Sequence, residues 1–311
     1  MSNNKHRVSI GLPVYNGEQF LKDALDSILA QTFEDFELII SDNASTDRTQ
    51  DICKEYAAQE RRIRYYRNEQ NIGVSNNFNR VFELSTGEYF RWAAHDDVLA
   101  PALLSKCVTV LDHDSSIVMC YSKTGRIDEH GAVVGNYDSN MEVDSLKPHE
   151  RFRDLICVNH SCVSMFGVVR ASKLRMTQLI ANYRGSDWNM LAELGIMGRL
   201  YELPEYLFFR RDHPHAATKF WGDDPEGYQA WYDPTKAGQL SFPHWRRLIE
   251  YFVSIRRVPL SLSEQLLCYA QIGRWLVGNS HSNQIRLRLL ASDLKIAVKQ
   301  TILKNQKSRK G

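Results

Sequence analysis

VSIGLPVYN, residues 8–16, is the stretch of sequence that decides the fold. Residues 8–12 form an apolar run of the right length for one buried strand, and Pro13 is expected to end it, because proline has no N–H for a strand ladder. Tyr15 and Asn16 follow at once. The stretch therefore predicts a strand that delivers an aromatic ring and a polar side chain to one edge of a sheet.

Two later apolar runs repeat this arrangement. Residues 36–40 (FELII) lead into the polar segment 41–47 (SDNASTD), and residues 89–94 (YFRWAA) lead into His95-Asp96-Asp97. In open α/β sheets, ligands bind outside the carboxyl ends of the strands. The three runs together predict a ligand site at one polar edge.

The alternation of strand and helix signals predicts an α/β fold. Up to about residue 120, strand-like runs alternate with amphipathic segments, which is typical of a Rossmann-like, mostly parallel sheet with helices on both faces. Residues 121–218 mix both signals, include a predicted strand over 165–169, and are expected to form the second side of a cleft. Residues 219–311 are predicted to be a helical C-terminal extension of a domain that spans 1–218.

Composition narrows the class of protein. Of the 311 residues, 43% are hydrophobic and 24% are charged, as in ordinary globular proteins. No apolar stretch approaches the roughly 18 residues that span a bilayer, and the first residues lack the apolar region of a signal peptide. The six cysteines form no Cys-X-X-Cys motif. These features predict a cytoplasmic protein with reduced cysteines.

Positive charge is concentrated at the C-terminal end. Residues 284–311 contain eight basic residues and one aspartate, so this segment carries +7 while the rest of the chain carries −5. Leu287, Leu290, Leu294 and Val298 share one helical stripe, which is typical of a helix on an anionic membrane surface but also of packing onto the catalytic body. An acidic body without a basic groove disfavours nucleic acid as a partner.

Four segments in this order resemble the family 2 glycosyltransferases, which have the GT-A fold. They are residues 9–18 (SIGLPVYNGE), 39–47 (IISDNASTD), 71–75 (NIGVS) and 95–97 (HDD), and the resemblance extends over about residues 7–215. It implies an inverting enzyme that transfers a sugar from a nucleoside diphosphate donor, such as a UDP-, GDP- or dTDP-sugar. The implied acceptor is a carbohydrate or a lipid-linked molecule.

The resemblance also implies which residues bind the donor. Tyr15 would stack on the base, Pro13 and Glu18 would line the same pocket, and Asp42 would accept a hydrogen bond from the base. Glu18 is equally suited to the first turn of a helix, whereas the capping of the next helix is assigned to Asp47 rather than to Asp42.

Asn71 and Gly73 are expected to form a turn under the nucleotide. The sequence departs from the family nearby, because Phe78 stands where an arginine is often found.

The acidic segment 95–97 resembles the family's metal-binding Asp-X-Asp motif. Ala94 stands at the first aspartate position, and Asp96 stands at the second. A divalent cation, Mn²⁺ or Mg²⁺, held by Asp96 would stabilise the charge of the departing diphosphate. His213 resembles the family histidine that contacts the metal or the diphosphate, and His215 is the alternative.

Asp187 resembles the family's catalytic base, which opens a helix after a glutamate. Ser186 replaces that glutamate here. In this role Asp187 would take the proton of the acceptor hydroxyl as its oxygen attacks the anomeric carbon. The same aspartate is also a good helix N-cap.

The combined reading is an inverting glycosyltransferase of bacterial surface polysaccharide or glycoconjugate synthesis, cytoplasmic and peripheral at the inner face of the plasma membrane. One alternative is a nucleotide-sugar binding protein without transferase activity, because Ala94 and Ser186 replace two family carboxylates. Another is a nucleotidyltransferase, although no Gly-rich, lysine-containing phosphate loop is present near the start of the chain.

Overall fold

A nine-stranded sheet forms the centre of the protein. The strand order is β3-β2-β1-β4-β8-β6-β9-β5, and β7 pairs with β6. The strands are β1 (Val8–Val14), β2 (Phe36–Asp42), β3 (Ile63–Arg67), β4 (Tyr89–Trp92), β5 (Val98–Leu99), β6 (Ile117–Ile127), β7 (Val133–Tyr137), β8 (Val168–Arg170) and β9 (Arg199–Arg211). Strands β3, β2, β1 and β4 are mutually parallel, as are β6 and β9, whereas β8 is antiparallel to both β4 and β6.

The structure is a computed structural model that describes residues 6–137, 141, 143–158, 160–214, 216, 225–237, 239, 242–277 and 287–295. The helices are α1 (Leu21–Leu29), α2 (Thr49–Gln59), α3 (Val74–Glu83), α4 (Leu103–His113), α5 (Pro148–Cys157), α6 (Ala171–Leu174), α7 (Ser186–Met197), α8 (Pro225–Tyr232), α9 (Pro243–Arg257) and α10 (Leu262–Val277). Residues 287–295 form one more helix, α11.

The central strands are buried on both faces. Every residue of β1 and of β2 is buried, as expected for parallel strands covered by helices on each side. One apolar core lies under α1, α2 and α4, and a second lies under α3, α5, α7, α9 and α10. The predicted α/β fold, with its mostly parallel sheet and helices on both faces, is confirmed.

Gly11 brings α3 onto the sheet. A Cβ at Gly11 would lie 2.6 Å from Cγ2 of Val81 in α3 and 2.8 Å from the ring of Phe90 in β4. Only a residue without a side chain permits this close approach. The loop that precedes α3 is thereby held next to the ends of β1 and β2.

Two expectations about strands were wrong. Strand β1 continues through Pro13, which lies opposite Ser41 of β2. The nitrogen of Pro13 faces the β4 side, where Ala93 donates the last bond to the Gly11 carbonyl oxygen and β4 has already ended at Trp92. No ladder bond is therefore lost. Residues 163–166 form a 3₁₀ turn rather than a strand, and β8 begins only at Val168.

The C-terminal helices α9, α10 and α11 contribute side chains to the second core, together with α3, α5 and α7. Tyr251 of α9 packs between Phe152 of α5 and Trp275 of α10, with both ring centroids 5.8 Å away. Glu193 of α7 is fully buried, and both of its carboxylate oxygens accept bonds from Nη1 of Arg257 at 2.7 Å. Burial still raises the pKa of Glu193 despite the opposing effect of Arg257.

The C-terminal stripe is described only in part. Leu290 is buried, whereas Leu287 and Leu294 are exposed, and Val298 and the end of the basic segment lie outside the described residues. Nε1 of Trp245 donates to the Leu290 carbonyl oxygen at 2.9 Å, which attaches α11 to α9. Among the helices within the described ranges, none is long and apolar enough to cross a bilayer.

Arg257→Met should lower the free energy of unfolding by about 3 kcal/mol, because the Glu193 carboxylate would stay buried without its partner. The double variant Glu193→Met/Arg257→Met removes both charges and should regain most of that loss. Urea unfolding of the two variants and the wild type measures the difference. A single variant that is as stable as the wild type would show that this ion pair does not attach α9.

Candidate active site

The carboxyl ends of β1, β2 and β4 lie side by side. Val14 is opposite Asp42 in the β1–β2 pair, and Gly11 is opposite Trp92 in the β1–β4 pair. The loops that follow these strands therefore meet at one edge, as the sequence predicts.

The loop after β1 presents an aromatic ring to solvent. The side chain of Tyr15 is 45% exposed. Asn16 holds a positive φ of 51°. Its backbone N–H donates to Oγ of Ser45 at 2.9 Å, and its Oδ1 accepts from the Thr46 N–H at 2.8 Å. These bonds fix the direction in which Tyr15 leaves the sheet.

Glu18 connects the first loop to the second. Its backbone N–H donates to Oδ2 of Asp47 at 3.0 Å, while its own Oε2 accepts from the Arg48 N–H at 2.9 Å, just before α2. Asp47 also accepts from the N–H of Thr49, the first residue of α2, at 3.0 Å. Glu18 therefore bonds to the residue before α2, a helix other than the one it precedes.

Asp42 is fully buried at the end of β2. Its Oδ1 accepts from the Ser45 N–H at 2.8 Å, and its Oδ2 accepts from the Tyr65 hydroxyl at 2.8 Å and from Nη1 of Arg67 at 2.5 Å. Nη2 of Arg67 continues to the Ser45 carbonyl oxygen at 2.8 Å. Asp42 thus holds the loop in shape, and any ligand that bonds to it shares these oxygens with protein donors.

A network of amide side chains positions Asn71 and Gly73. Oδ1 of Asn71 accepts from Nδ2 of Asn43 at 2.8 Å and from the Gly73 N–H at 2.9 Å, and Oδ1 of Asn43 accepts from the Ile72 N–H at 2.9 Å. Asn43 was not singled out from the sequence, although it lies next to Asp42. Phe78, which replaces the family arginine, packs near Trp92 with ring centroids 6.4 Å apart.

Asp96 and His213 form a pair beyond the end of β4. Nε2 of His213 donates to Oδ2 of Asp96 at 3.0 Å. Burial acts to raise the pKa of Asp96, but the positive potential of His95 and the His213 bond outweigh it, so the net shift is downward. Among the residues that the structure describes, no group forms a hydrogen bond with the buried Nδ1 of His213. The lowered pKa of Asp96 favours its ionised form beside this imidazole.

The pKa of Asp97, the next residue, is shifted in the opposite direction. It is buried, and its Oδ1 accepts from the Arg211 N–H at 3.0 Å. Burial and the charge of Asp96 raise its pKa well above the usual range. Arg91 is fully buried nearby, and burial lowers its pKa to about 10. The positive charge of Arg91 partly opposes the rise in the pKa of Asp97.

Arg211 joins the parts of this edge that are distant in sequence. Its side chain is 1% exposed. Its Nε donates to the Asp96 carbonyl oxygen at 2.9 Å, its Nη2 donates to Asp23 of α1 at 2.9 Å, and its Nη1 reaches the carbonyl oxygens of Asp128 and Glu129 between β6 and β7. The sequence showed only a basic segment here and no signal for this role.

Asp187 lies in the first turn of α7. Burial raises its pKa, although bonds from the Trp188 N–H and the Cys162 thiol and the charge of Arg247 oppose the shift. Gly185, with φ of +88°, leaves room for Arg247, whose Cδ would be 3.3 Å from a Cβ at that position. The result is a carboxylate with raised basicity beside a guanidinium.

Sheet register relates Asp187 to the Asp96 loop. Strand β8 is antiparallel to β4, with Val169 opposite Phe90, so the chain that enters β8 comes from beyond the carboxyl end of β4. Cys162 belongs to that entering segment, has a positive φ of 59° and contacts Asp187. The two aspartates therefore belong to the same edge of the sheet.

An aromatic pair flanks Asp187. The rings of His160 and Trp188 stack with centroids 4.0 Å apart. Nδ1 of His160 accepts from the Cys162 N–H at 3.2 Å, so Nε2 donates to the Leu155 carbonyl oxygen at 3.1 Å. Burial lowers the pKa of His160, which favours the neutral imidazole.

Potential metal ligands are few. Within the part of the chain that the structure describes, no group of three or more His, Cys, Asp or Glu residues could hold a metal ion. His215, the alternative ligand named from the sequence, lies outside the described residues. Within the described residues, Asp96 and His213 form a two-residue set.

Known sequences include relatives of this chain. The sequence pattern described as Glycosyl transferase family 2 matches residues 9–174. An uncharacterised glycosyltransferase of Rickettsia typhi is 36% identical over 226 residues, which are 72% of this chain and 69% of that protein. One of Haemophilus influenzae is 26% identical over 222 residues, which are 70% of this chain and 69% of that protein.

Solved structures share the fold. The crystal structure of S. aureus TarS 1–349 in complex with UDP-GlcNAc has a TM-score of 0.67 and 15% identity, over 94% of this chain and 81% of that one. The mannosyltransferase PcManGT from Pyrobaculum calidifontis, in complex with GDP-Man and Mn²⁺, has a TM-score of 0.53 and 16% identity, over 98% and 80%. These similarities confirm a GT-A type fold.

Gly73→Ala should destabilise the protein more than Gly131→Ala. The two glycines have nearly equal φ, +85° and +84°, where alanine costs about 1 kcal/mol. Nothing lies within 4 Å of a Cβ at Gly131, whereas one at Gly73 would overlap the Tyr232 carbonyl oxygen and lie 2.8 Å from Cδ of Pro234. Overpacking should add about 1–3 kcal/mol at Gly73 alone. Urea unfolding measures both losses, and equal losses would contradict the packing of α8 against this loop.

Proposed function

The chain belongs to glycosyl transferase family 2, and on that basis we propose that it moves a sugar from a nucleoside diphosphate donor to a carbohydrate or lipid-linked acceptor, with inversion at the anomeric carbon. One observation carries the proposal. An ionised carboxylate paired with a histidine, Asp96 with His213, shares an edge of the sheet with a second carboxylate of raised pKa, Asp187.

The donor nucleotide is proposed to lie over the ends of β1 and β2. The exposed ring of Tyr15 suits stacking on a base. Asp42 would accept from the base at the oxygens it already shares with Tyr65 and Arg67, and the turn of Asn71 and Gly73 would support the nucleotide. Pro13 and Glu18 would shape the same pocket. TarS binds UDP-GlcNAc and PcManGT binds GDP-Man, which supports a nucleotide-sugar donor without choosing the base or the sugar.

The residues beyond β4 fit a divalent cation, Mn²⁺ or Mg²⁺. Asp96 offers an ionised oxygen, and His213 has a buried nitrogen without a hydrogen-bond partner among the described residues. Both are suitable ligands when diphosphate oxygens complete the set. The solved structure of PcManGT is a complex with GDP-Man and Mn²⁺. When bound, such a cation would neutralise the negative charge of the departing diphosphate.

Asp187 is proposed to be the general base. It would take the proton of the acceptor hydroxyl while the hydroxyl oxygen forms a bond to the anomeric carbon. The bond between that carbon and the phosphate oxygen breaks with its electron pair, and the nucleoside diphosphate leaves from the opposite face. Burial raises the pKa of Asp187, which strengthens it as a base.

The finer biological assignment rests on the family. We place the reaction in bacterial surface polysaccharide or glycoconjugate synthesis, in the cytoplasm, with peripheral contact at the inner face of the plasma membrane through the basic C-terminus. Ala94 and Ser186 support the competing function of a nucleotide-sugar binding protein. Incubation of candidate donors with Mn²⁺ separates the possibilities: a transferase releases nucleoside diphosphate, a nucleotidyltransferase releases or consumes pyrophosphate, and a binding protein releases neither.

Asp96→Ala should abolish the part of donor-induced thermal stabilisation that depends on Mn²⁺, because the variant lacks the ionised oxygen proposed to hold the cation. Asp97→Asn is the matched control: it exchanges a buried carboxyl of raised pKa for an isosteric amide and should keep that dependence. The measurement is the melting temperature with sugar nucleotides, with and without Mn²⁺. An unchanged shift in Asp96→Ala would remove Asp96 from the metal site.

Asp187→Asn should keep donor binding and lose transfer by about 10²- to 10⁴-fold, the usual contribution of a general base. Asparagine also caps helices well, so the fold should be retained. In the wild type, the acidic limb of the pH–rate profile should lie above the ordinary aspartate pKa of about 4, because a base with a raised pKa stays protonated to higher pH. Near-normal turnover of the variant would reassign Asp187 to capping.

A further inference from the structure

Exposed apolar side chains are concentrated on the C-terminal helices. In the described part of the chain, eleven of the seventeen large hydrophobic residues that are exposed lie between residues 242 and 294. They are Phe242, Trp245, Ile249, Phe252, Val253, Leu262, Leu266, Leu267, Val277, Leu287 and Leu294. Such a concentration on one part of a surface marks an interaction site.

Helix α9 is apolar on two sides. Leu248, Tyr251 and Ile255 are buried. This side of α9 therefore already packs against the body of the protein. Trp245 and Ile249 lie on another side and are 36% and 53% exposed. A water-exposed helix of a globular protein normally carries polar residues opposite its core face. We therefore expect the second apolar side of α9 to be covered by another surface.

The exposed sides of α9 and α10 adjoin. The rings of Phe252 in α9 and Tyr269 in α10 stack with centroids 5.7 Å apart and an interplanar angle of 25°. One turn before Tyr269, Leu266 is 68% exposed, and Leu262 is 78% exposed a further turn away. We call this continuous surface the α9–α10 face; its members are Trp245, Ile249, Phe252, Val253, Leu262, Leu266 and Tyr269.

The charge around the α9–α10 face is positive. Residues 242–277 contain five arginines and two acidic residues, and two of those arginines, Arg247 and Arg257, already face Asp187 and Glu193 of α7. Both acids bond to neighbouring groups: Glu250 pairs with Arg246 at 3.1 Å, and Glu264 accepts from Nδ1 of His149 at 2.9 Å. Arg256 and Arg274 lie near the ends of the two helices and are exposed. Neither Glu250 nor Glu264, the acidic residues of 242–277, neutralises their charge.

We propose that the α9–α10 face docks on an anionic lipid surface. An aromatic ring with a polar group, such as that of Tyr269, suits the level of the lipid headgroups, aliphatic side chains enter the acyl boundary, and arginines pair with lipid phosphates. A second copy of this chain fits less well, because two such faces would bring their arginines together. This proposal assigns the peripheral contact proposed above to a surface other than the basic end of the chain.

Helix α9 also connects the α9–α10 face to the helix that carries the proposed base. Helix α9 is attached to α7, which carries Asp187: Nδ2 of Asn189 donates to the Arg247 carbonyl oxygen at 3.0 Å, and Arg257 pairs with Glu193. The docking proposal itself does not rest on the proposed function.

Vesicle co-sedimentation tests the proposal on the full-length chain. Vesicles of phosphatidylcholine alone are compared with vesicles that contain phosphatidylglycerol. The wild type should bind the anionic vesicles, and more weakly as salt is added. Ile249→Ser/Leu266→Ser should bind about tenfold more weakly or worse, since it removes apolar area that would be buried. Leu146→Ser, which changes an 82% exposed leucine outside the face, should bind like the wild type.

The charge contribution has its own variant. Arg256→Gln/Arg274→Gln should reduce both the affinity for anionic vesicles and its dependence on salt. Circular dichroism and light scattering establish that each variant is folded and report its oligomeric state. Equal binding by Ile249→Ser/Leu266→Ser and the wild type would overturn the proposal and leave the basic segment 284–311 as the contact. A wild-type dimer that Ile249→Ser/Leu266→Ser converts to a monomer would overturn it in favour of a second copy.

The two proposals fail separately. Vesicle binding is measured without donor or acceptor, so an inactive protein can still confirm the α9–α10 face. Conversely, donor turnover in solution with normal kinetics and no vesicle binding would overturn only the docking proposal.

Discussion

The guanidinium of Arg211 is the contact on which the candidate site depends. It is almost completely buried, and it donates to the Asp96 carbonyl, to Asp23 of α1 and to the turn that contains Asp128. Its backbone N–H also bonds to Asp97. A buried charge is stable only when its donors are satisfied, so these four segments must stay together. The shape of the acidic loop is therefore determined by strand β9, which lies more than one hundred residues further along the chain.

Electrostatic asymmetry follows from that packing. Asp96 bonds to His213 and has a lowered pKa, whereas Asp97 is buried and has a raised one. Asp187, on the chain segment that meets the same sheet edge, is also raised by burial. Two carboxyl groups with opposite shifts are what a site needs to hold positive charge in one place and accept a proton in another. This contrast gives the proposed transfer its physical basis.

The C-terminal helices contribute to both core and surface. Helix α9 closes the second core and neutralises Glu193, and it also places Arg247 beside Asp187. Its outer side remains apolar and flanked by arginines. One helix thus links the stability of the fold, the basicity of the proposed base and the surface proposed to meet lipid. A change in any one of these is expected to affect the others through α7.

The sequence by itself determined the alternation of strands and helices up to about residue 120 and the polar edge formed by the ends of β1, β2 and β4, because apolar runs and the residues that end them are local signals. Only the tertiary structure decided that Pro13 can lie inside β1, where β4 has already ended, and that both Asp42 oxygens are occupied by Ser45, Tyr65 and Arg67. The roles of Asn43 and Arg211 were likewise absent from any local pattern. Most of these contacts join residues that are far apart in the chain. They form because of burial and strand register, and both depend on the whole packed fold.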